Sequence, residues 1–135
     1  MHLCIRYAFC NTFKFLRRSI NEWKQASLQA TNYRCYISNE KGKLVIHHAN
    51  EHHPFHAIVQ ETFELTGLPI YSTIGQYTEE ELTLLSKTCQ DLHFKYGLGI
   101  PLKPELHEEF HHTYGFTKWT NQDFEKFVKE KKKTV

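Results

Sequence analysis

Long apolar runs, repeats, paired cysteines and glycine-rich stretches are all missing from this chain. Without a run of about eighteen apolar residues, a membrane-spanning helix of ordinary length is excluded. Its four cysteines, Cys4, Cys10, Cys35 and Cys89, show neither C-x-x-C spacing nor a disulfide-framework pattern. That excludes a disulfide-dense miniature scaffold and favours a reducing compartment. Six glycines and four prolines among 135 residues exclude a collagen-like chain and a Gly-rich linker. The opening stretch Met1–Leu16 is mildly apolar, but Arg6 and Lys14 interrupt it and no small-residue cleavage site follows. It does not read as a signal peptide. What remains is an ordinary globular composition, 40% hydrophobic and 24% charged, long enough for one modest core.

Net charge is only +2, yet it is unevenly spread. Residues 1–46 balance at +6, residues 47–112 at −7 and residues 113–135 at +3, and nine of the ten histidines fall in the acidic middle. Basic flanks can track a phosphate backbone. Their members are Arg17, Arg18, Lys24, Arg34, Lys41 and Lys43 before the middle, and Lys129, Lys131, Lys132 and Lys133 after it. An acidic, His-rich centre can hold a divalent cation that offsets its charge. Both also read as solvated surface.

Ser19-Ile20-Asn21-Glu22 has the form of a capping box and predicts a helix near 19–30. Two runs of strand formers, Tyr33–Ile37 and Lys43–His48, flank the turn-like Ser38–Gly42 and predict a β-hairpin over 33–48. Pro54 opens a helix with apolar positions Phe55, Ile58, Val59 and Phe63, stopped by Gly67. A second capping box at Thr78–Glu81 starts a helix that Gly97 ends. After an irregular stretch, Leu98–Lys103, a helix is expected over 104–114 between Pro104 and Gly115. Thr120 and Asp123 cap a last helix, to about 130.

His107 and His111 stand four residues apart, so both imidazoles share one helical face and can chelate one cation. They flank the apolar ridge of Leu106 and Phe110. The dyad His47-His48 ends the second predicted strand, where adjacent side chains face opposite ways. One can hold a metal while the other addresses a substrate. His93 reads as a histidine at the edge of the core, or as support for the neighbouring loop, and His112 as solvent-facing or phosphate-contacting.

The segments Lys43–Asn50, "KLVIHHAN", and Gly99–Gly115, "GIPLKPELHEEFHHTYG", with Trp119–Phe127, "WTNQDFEKF", resemble the HNH endonucleases of the ββα-metal class, in particular phage homing-type members. The resemblance implies an α+β fold: a ββα-metal core of hairpin 33–48 and helix 104–114, with added helices near 19–30, 54–66, 78–96 and 120–130. It implies one HNH domain over 18–135 with a helical insertion at about 54–97, preceded by an extension at 1–17. It implies hydrolysis of DNA phosphodiester bonds to 5′-phosphate and 3′-hydroxyl ends, with His48 as general base. One divalent ion, Zn, Ni, Mn or Mg, would sit on His47, His107 and His111. The partner implied is double-stranded DNA, with no membrane, in an intracellular setting such as a bacterial cytoplasm or a phage-infected host; a monomer is expected. Two positions depart from the family. Its middle Asn falls at Leu98, which favours a second reading, a silent DNA-binding protein that keeps the fold, unless His93 supports the loop instead. Cys35 has no partner at C-x-x-C spacing, so no structural zinc is expected.

Overall fold

In the computed structural model, which describes residues 11–134, the chain is α+β: six helices and one two-stranded antiparallel sheet. The helices are α1 Asn11–Ser19, α2 Asn21–Ala30, α3 Phe55–Thr66, α4 Glu79–Lys95, α5 Pro104–Tyr114 and α6 Asn121–Thr134. The strands are β1 Val45–His47 and β2 Ile100–Leu102. None of the described helices is long and apolar enough to cross a membrane.

Contacts divide the chain into two compact units. The first contains the described residues up to Trp23 together with Phe55–Gly97; the second contains Lys24–Pro54 and the described residues from Leu98 onward. The predicted insertion at 54–97 thus groups with the N-terminal residues. Of the predicted extension at 1–17, residues 1–10 lie outside the described residues, and 11–17 belong to α1.

The first unit is built on helical stripes. Phe13, Leu16, Ile20 and Trp23 recur at three and four, and all are buried. That stripe runs straight through the expected cap at Ser19, whose hydroxyl instead donates to the carbonyl of Phe15 at 2.9 Å. The helix predicted near 19–30 is present as α2, Asn21–Ala30, but it starts past Ser19, and a separate helix, α1, ends at Ser19 with only Ile20 between them. Helix α3 buries Phe55, Ile58, Val59, Thr62 and Phe63, and stops where Gly67 takes φ 69°. At the start of α4 the capping box forms as predicted: Glu81 N–H donates to Thr78 Oγ1 at 3.1 Å, and Thr78 N–H donates to Glu81 Oε1 at 2.8 Å.

The second unit corrects the predicted hairpin. Strand β1 pairs with β2, Val45 opposite Leu102 and His47 opposite Ile100, and not with residues 33–37. The stretch 98–103, expected to be irregular, supplies the partner. Residues 33–37 do alternate, with Cys35 and Ile37 buried between exposed or half-buried neighbours. The chain, however, leaves α2 through two left-handed residues, Asn32 at φ 56° and Tyr33 at φ 59°, and turns instead of extending. Alternation here reports burial without a strand ladder. One bond ties this loop to the sheet: Tyr36 N–H donates to the carbonyl of Pro101 at 2.9 Å. Proline has no N–H, so Ile46–Pro101 is a non-hydrogen-bonded pair and Pro101 offers its carbonyl to the other side.

Around this sheet the core of the second unit gathers Cys35, Ile37, Leu102, Phe110, Trp119, Phe124, Phe127 and Val128. Each fully buried large side chain contributes about 1.5–3 kcal/mol. Helix α5 opens with proline in its first turn and closes at Gly115, and a reciprocal Thr120–Asp123 pair caps α6 with bonds of 3.0 and 3.1 Å. Cys35 is a buried free thiol whose sulfur accepts the N–H groups of Ser38 and Lys103, each at 3.4 Å. Burial pushes its pKa up, but hydrogen bonds from the Ser38 hydroxyl and from the backbone of Ser38, Lys103 and Ile37 outweigh that and leave it below the ordinary thiol value. It packs as a core residue.

Candidate metal centre

Three histidines converge in the second unit. His47 ends β1, and His107 and His111 lie one turn apart on α5, which packs against β1. One ring nitrogen from each lies within 4.8 Å of the others, and these three form the one such His, Cys or carboxylate cluster among the described residues. The Nε2 atoms of His107 and His111 are 3.0 Å apart. His111 holds its other nitrogen, Nδ1, 2.9 Å from the carbonyl of Gly115.

The surroundings are aromatic. His47 is 1% exposed; its ring stacks on Phe124 at 4.6 Å and 23°, and Trp119 and Phe110 lie 4.9 and 5.3 Å away. Phe116, itself exposed, stacks on His111 at 4.6 Å and 11°. These walls remove water, and a charged imidazole is disfavoured without it. Burial, reinforced by repulsion from His107 and His111, pushes the His47 pKa down to about 3. Burial and His111 push His107 down to about 4. Both rings are therefore neutral near pH 7 and keep a lone pair for a ligand.

The donor set fits a cation. Among the described residues, His47 Nε2 is one of two buried side-chain polar atoms with no hydrogen-bond partner, and such an atom costs about 1–3 kcal/mol in a protein that makes no use of it. Two nitrogens bound to one zinc-like ion at about 2.1 Å can be at most about 4.2 Å apart. The 3.0 Å pair meets that limit. The widest separation needs a ring shift of under about 1 Å to meet it. Three imidazole nitrogens suit zinc, nickel or manganese better than calcium.

His48, half-buried, follows at the strand end and is not one of the three converging rings. His93 is fully buried in the first unit, where Nδ1 lies 2.7 Å from the carbonyl of Cys89 and the ring meets Trp23 edge-on at 4.9 Å. That is the geometry of a core histidine. His112 is exposed, as expected, and so is Leu98. Of the ten cations expected on a phosphate backbone, Arg17 and Arg18 lie in the first unit and the other eight in the second. Several have internal partners. The Arg17 guanidinium sits 4.2 Å from the Phe55 ring, Arg34 donates to the carbonyl of Asn39, Lys131 pairs with Glu109, and Lys132 lies 4.8 Å from the Tyr36 ring. Lys41, Lys43, Lys129 and Lys133 are exposed, and Lys24 is half-buried.

Sequence reasoning missed the walls of the site. Trp119 and Phe124 stand 8 and 13 residues beyond His111, the nearest ligand, with no spacing that ties them to His47. Gly115 was legible as a helix stop, but not as the partner of His111. Comparison with known proteins finds no matching family model, no matching curated protein and no matching solved structure, so the reading of this centre rests on its own chemistry.

Proposed function

We propose that this chain is a metal-dependent DNA endonuclease of the HNH type. The observation that carries the reading is the convergence of His47, His107 and His111. The ββα order that the resemblance implies is available as β1, β2 and α5, with one histidine at the end of the first strand and two on the helix. On this reading residues 55–97 are inserted between the two strands, and the region 33–37 supplies no strand of the sheet.

A divalent ion held by the three histidines would neutralise charge on the scissile phosphate. His48 takes the proton from the attacking water, a task that imidazole suits because it ordinarily titrates near neutrality. The water oxygen bonds to phosphorus, the bond to the 3′ oxygen breaks, and that oxygen takes up a proton. The products are a 5′-phosphate and a 3′-hydroxyl. The exposed lysines of the second unit bind the flanking phosphates, since its formal charge over 24–54 and 98–135 is +3. Aromatic walls around His47 exclude bulk water from the ligand side of the cluster.

Metal content measured beside a plasmid-nicking assay tests this. Stoichiometric metal with cleavage that chelation abolishes supports the enzyme. Binding of duplex DNA without cleavage supports the silent form, to which Leu98 in place of the family Asn points. Absence of both metal and DNA binding overturns the proposal.

A further inference from the structure

Gly115 does more than end α5. Its N–H donates to the carbonyl of His111 at 2.8 Å, and its own carbonyl lies 2.9 Å from His111 Nδ1. A carbonyl only accepts, so the proton of this second bond must sit on Nδ1. A neutral His111 then presents Nε2 as a bare lone pair toward the cluster. We infer that Gly115 is a positioning residue that fixes the tautomer and ring angle of His111 for metal binding; this rests on the reading of the three histidines as a metal centre.

The conformation explains why glycine stands there. Gly115 has φ 83° and ψ 176°, a region that is essentially closed to L-residues with a Cβ. A Cβ at this position would meet nothing within 4 Å, so neighbour crowding is not the reason. The backbone path itself is, because it carries the carbonyl back toward the ring. The next residue completes the arrangement: Phe116 stacks on the face of the same imidazole. One turn thus holds His111 by an edge and a face.

A second consequence concerns His107. With the His111 Nε2 lone pair facing it at 3.0 Å, the metal-free His107 donates its Nε2 proton into that gap. A metal bound through His107 Nε2 would move that proton to Nδ1, so His107 would change tautomer while His111 does not.

Long-range proton–nitrogen NMR of the metal-free full chain reads both protons directly. The expected spectrum has His111 protonated at Nδ1 and His107 at Nε2. His111 protonated at Nε2 overturns the inference. Gly115→Ala is then compared with Gly67→Ala, which places alanine at another positive-φ helix end, at φ 69°, in the first unit. Cobalt(II) affinity should fall by about 10–100-fold in Gly115→Ala and stay at the parent value in Gly67→Ala. Equal affinities in the two variants overturn the inference.

If Gly115→Ala fails to fold, D-alanine placed at 115 by ligation adopts the positive φ without strain and should restore the Nδ1 tautomer and cobalt binding. Failure of D-alanine to restore them counts against the inference. A parent that binds no cobalt sinks the metal reading, and the tautomer spectrum still decides the role of Gly115.

Discussion

Replacing His47 with phenylalanine should make the metal-free protein more stable, and increasingly so in acid. At about pH 8 the change removes a buried Nε2 that has no partner, a gain of about 1–3 kcal/mol. Fitting a slightly larger ring among Phe110, Trp119 and Phe124 costs about 1 kcal/mol or somewhat more. The net expectation is a gain of about 1 kcal/mol. Acid adds a second contribution of known sign. In the unfolded chain a histidine protonates near pH 6.5, whereas folded His47 resists protonation down to about pH 3. Below pH 6.5 the unfolded state therefore binds a proton that the native state refuses, and native stability falls by about 1.4 kcal/mol per pH unit toward pH 3. By pH 5 the parent has lost about 2 kcal/mol through His47 alone. His107 acts in the same direction, but it is present in both proteins and cancels in the comparison. Urea unfolding with a chelator present, at pH 8 and at pH 5, measures the difference. It should grow from about 1 to about 3 kcal/mol. A difference that stays flat between the two pH values refutes the buried, neutral His47, whatever the packing does.

The other expectations are simpler. His47→Ala, His107→Ala and His111→Ala should each lose metal and cleavage together, whereas His48→Ala should keep metal and DNA binding and lose about two to four orders of magnitude in turnover; metal analysis beside single-turnover nicking separates them. Duplex DNA binding should weaken steeply with salt. Lys43→Ala or Lys133→Ala should each reduce the slope by about one, and Lys131→Ala, whose ammonium is paired with Glu109, should reduce it less. Leu98→Asn should raise cleavage if the missing Asn is what weakens the site, and parity with the parent in the nicking assay argues against that. Thr78→Ala breaks the reciprocal cap of α4 and should cost about 1 kcal/mol in urea unfolding without changing metal affinity.

Helix positions were legible where a stripe and a cap agreed. Thr78 with Glu81, Pro104 with Gly115 and Thr120 with Asp123 each mark an end that the structure keeps. Ser19 misled because the apolar stripe on either side of it outweighs a single capping pattern. The sheet was half legible. His47 and the run before it form a strand, but its partner lies at Ile100–Leu102, and no local pattern encodes a pairing between segments so far apart. The predicted ligands converge because an i, i+4 pair on one helix needs only helical geometry, and a strand packed against that helix brings in the third. Residue spacing carries no such signal for the aromatic walls, which are set by tertiary packing alone.

The separation of the two strands also governs how the centre assembles. Pairing His47 with Ile100 closes a loop of 52 residues, an entropic cost of about 3.5 kcal/mol for a flexible chain. Most of that loop is 55–97, which folds within the first unit on contacts of its own and returns the chain near its point of departure; the rings of Phe55 and His93 lie 6.0 Å apart. Once folded, this segment acts as a long, rigid turn, and little flexible chain is left to order when β1 meets β2. Folding of residues that contribute nothing to the histidine cluster thereby lowers the entropic cost of assembling it. A weakened Leu85 or Phe63 core would slow the appearance of metal-binding protein during refolding, and a simple contact map of the cluster would give no hint of the cause.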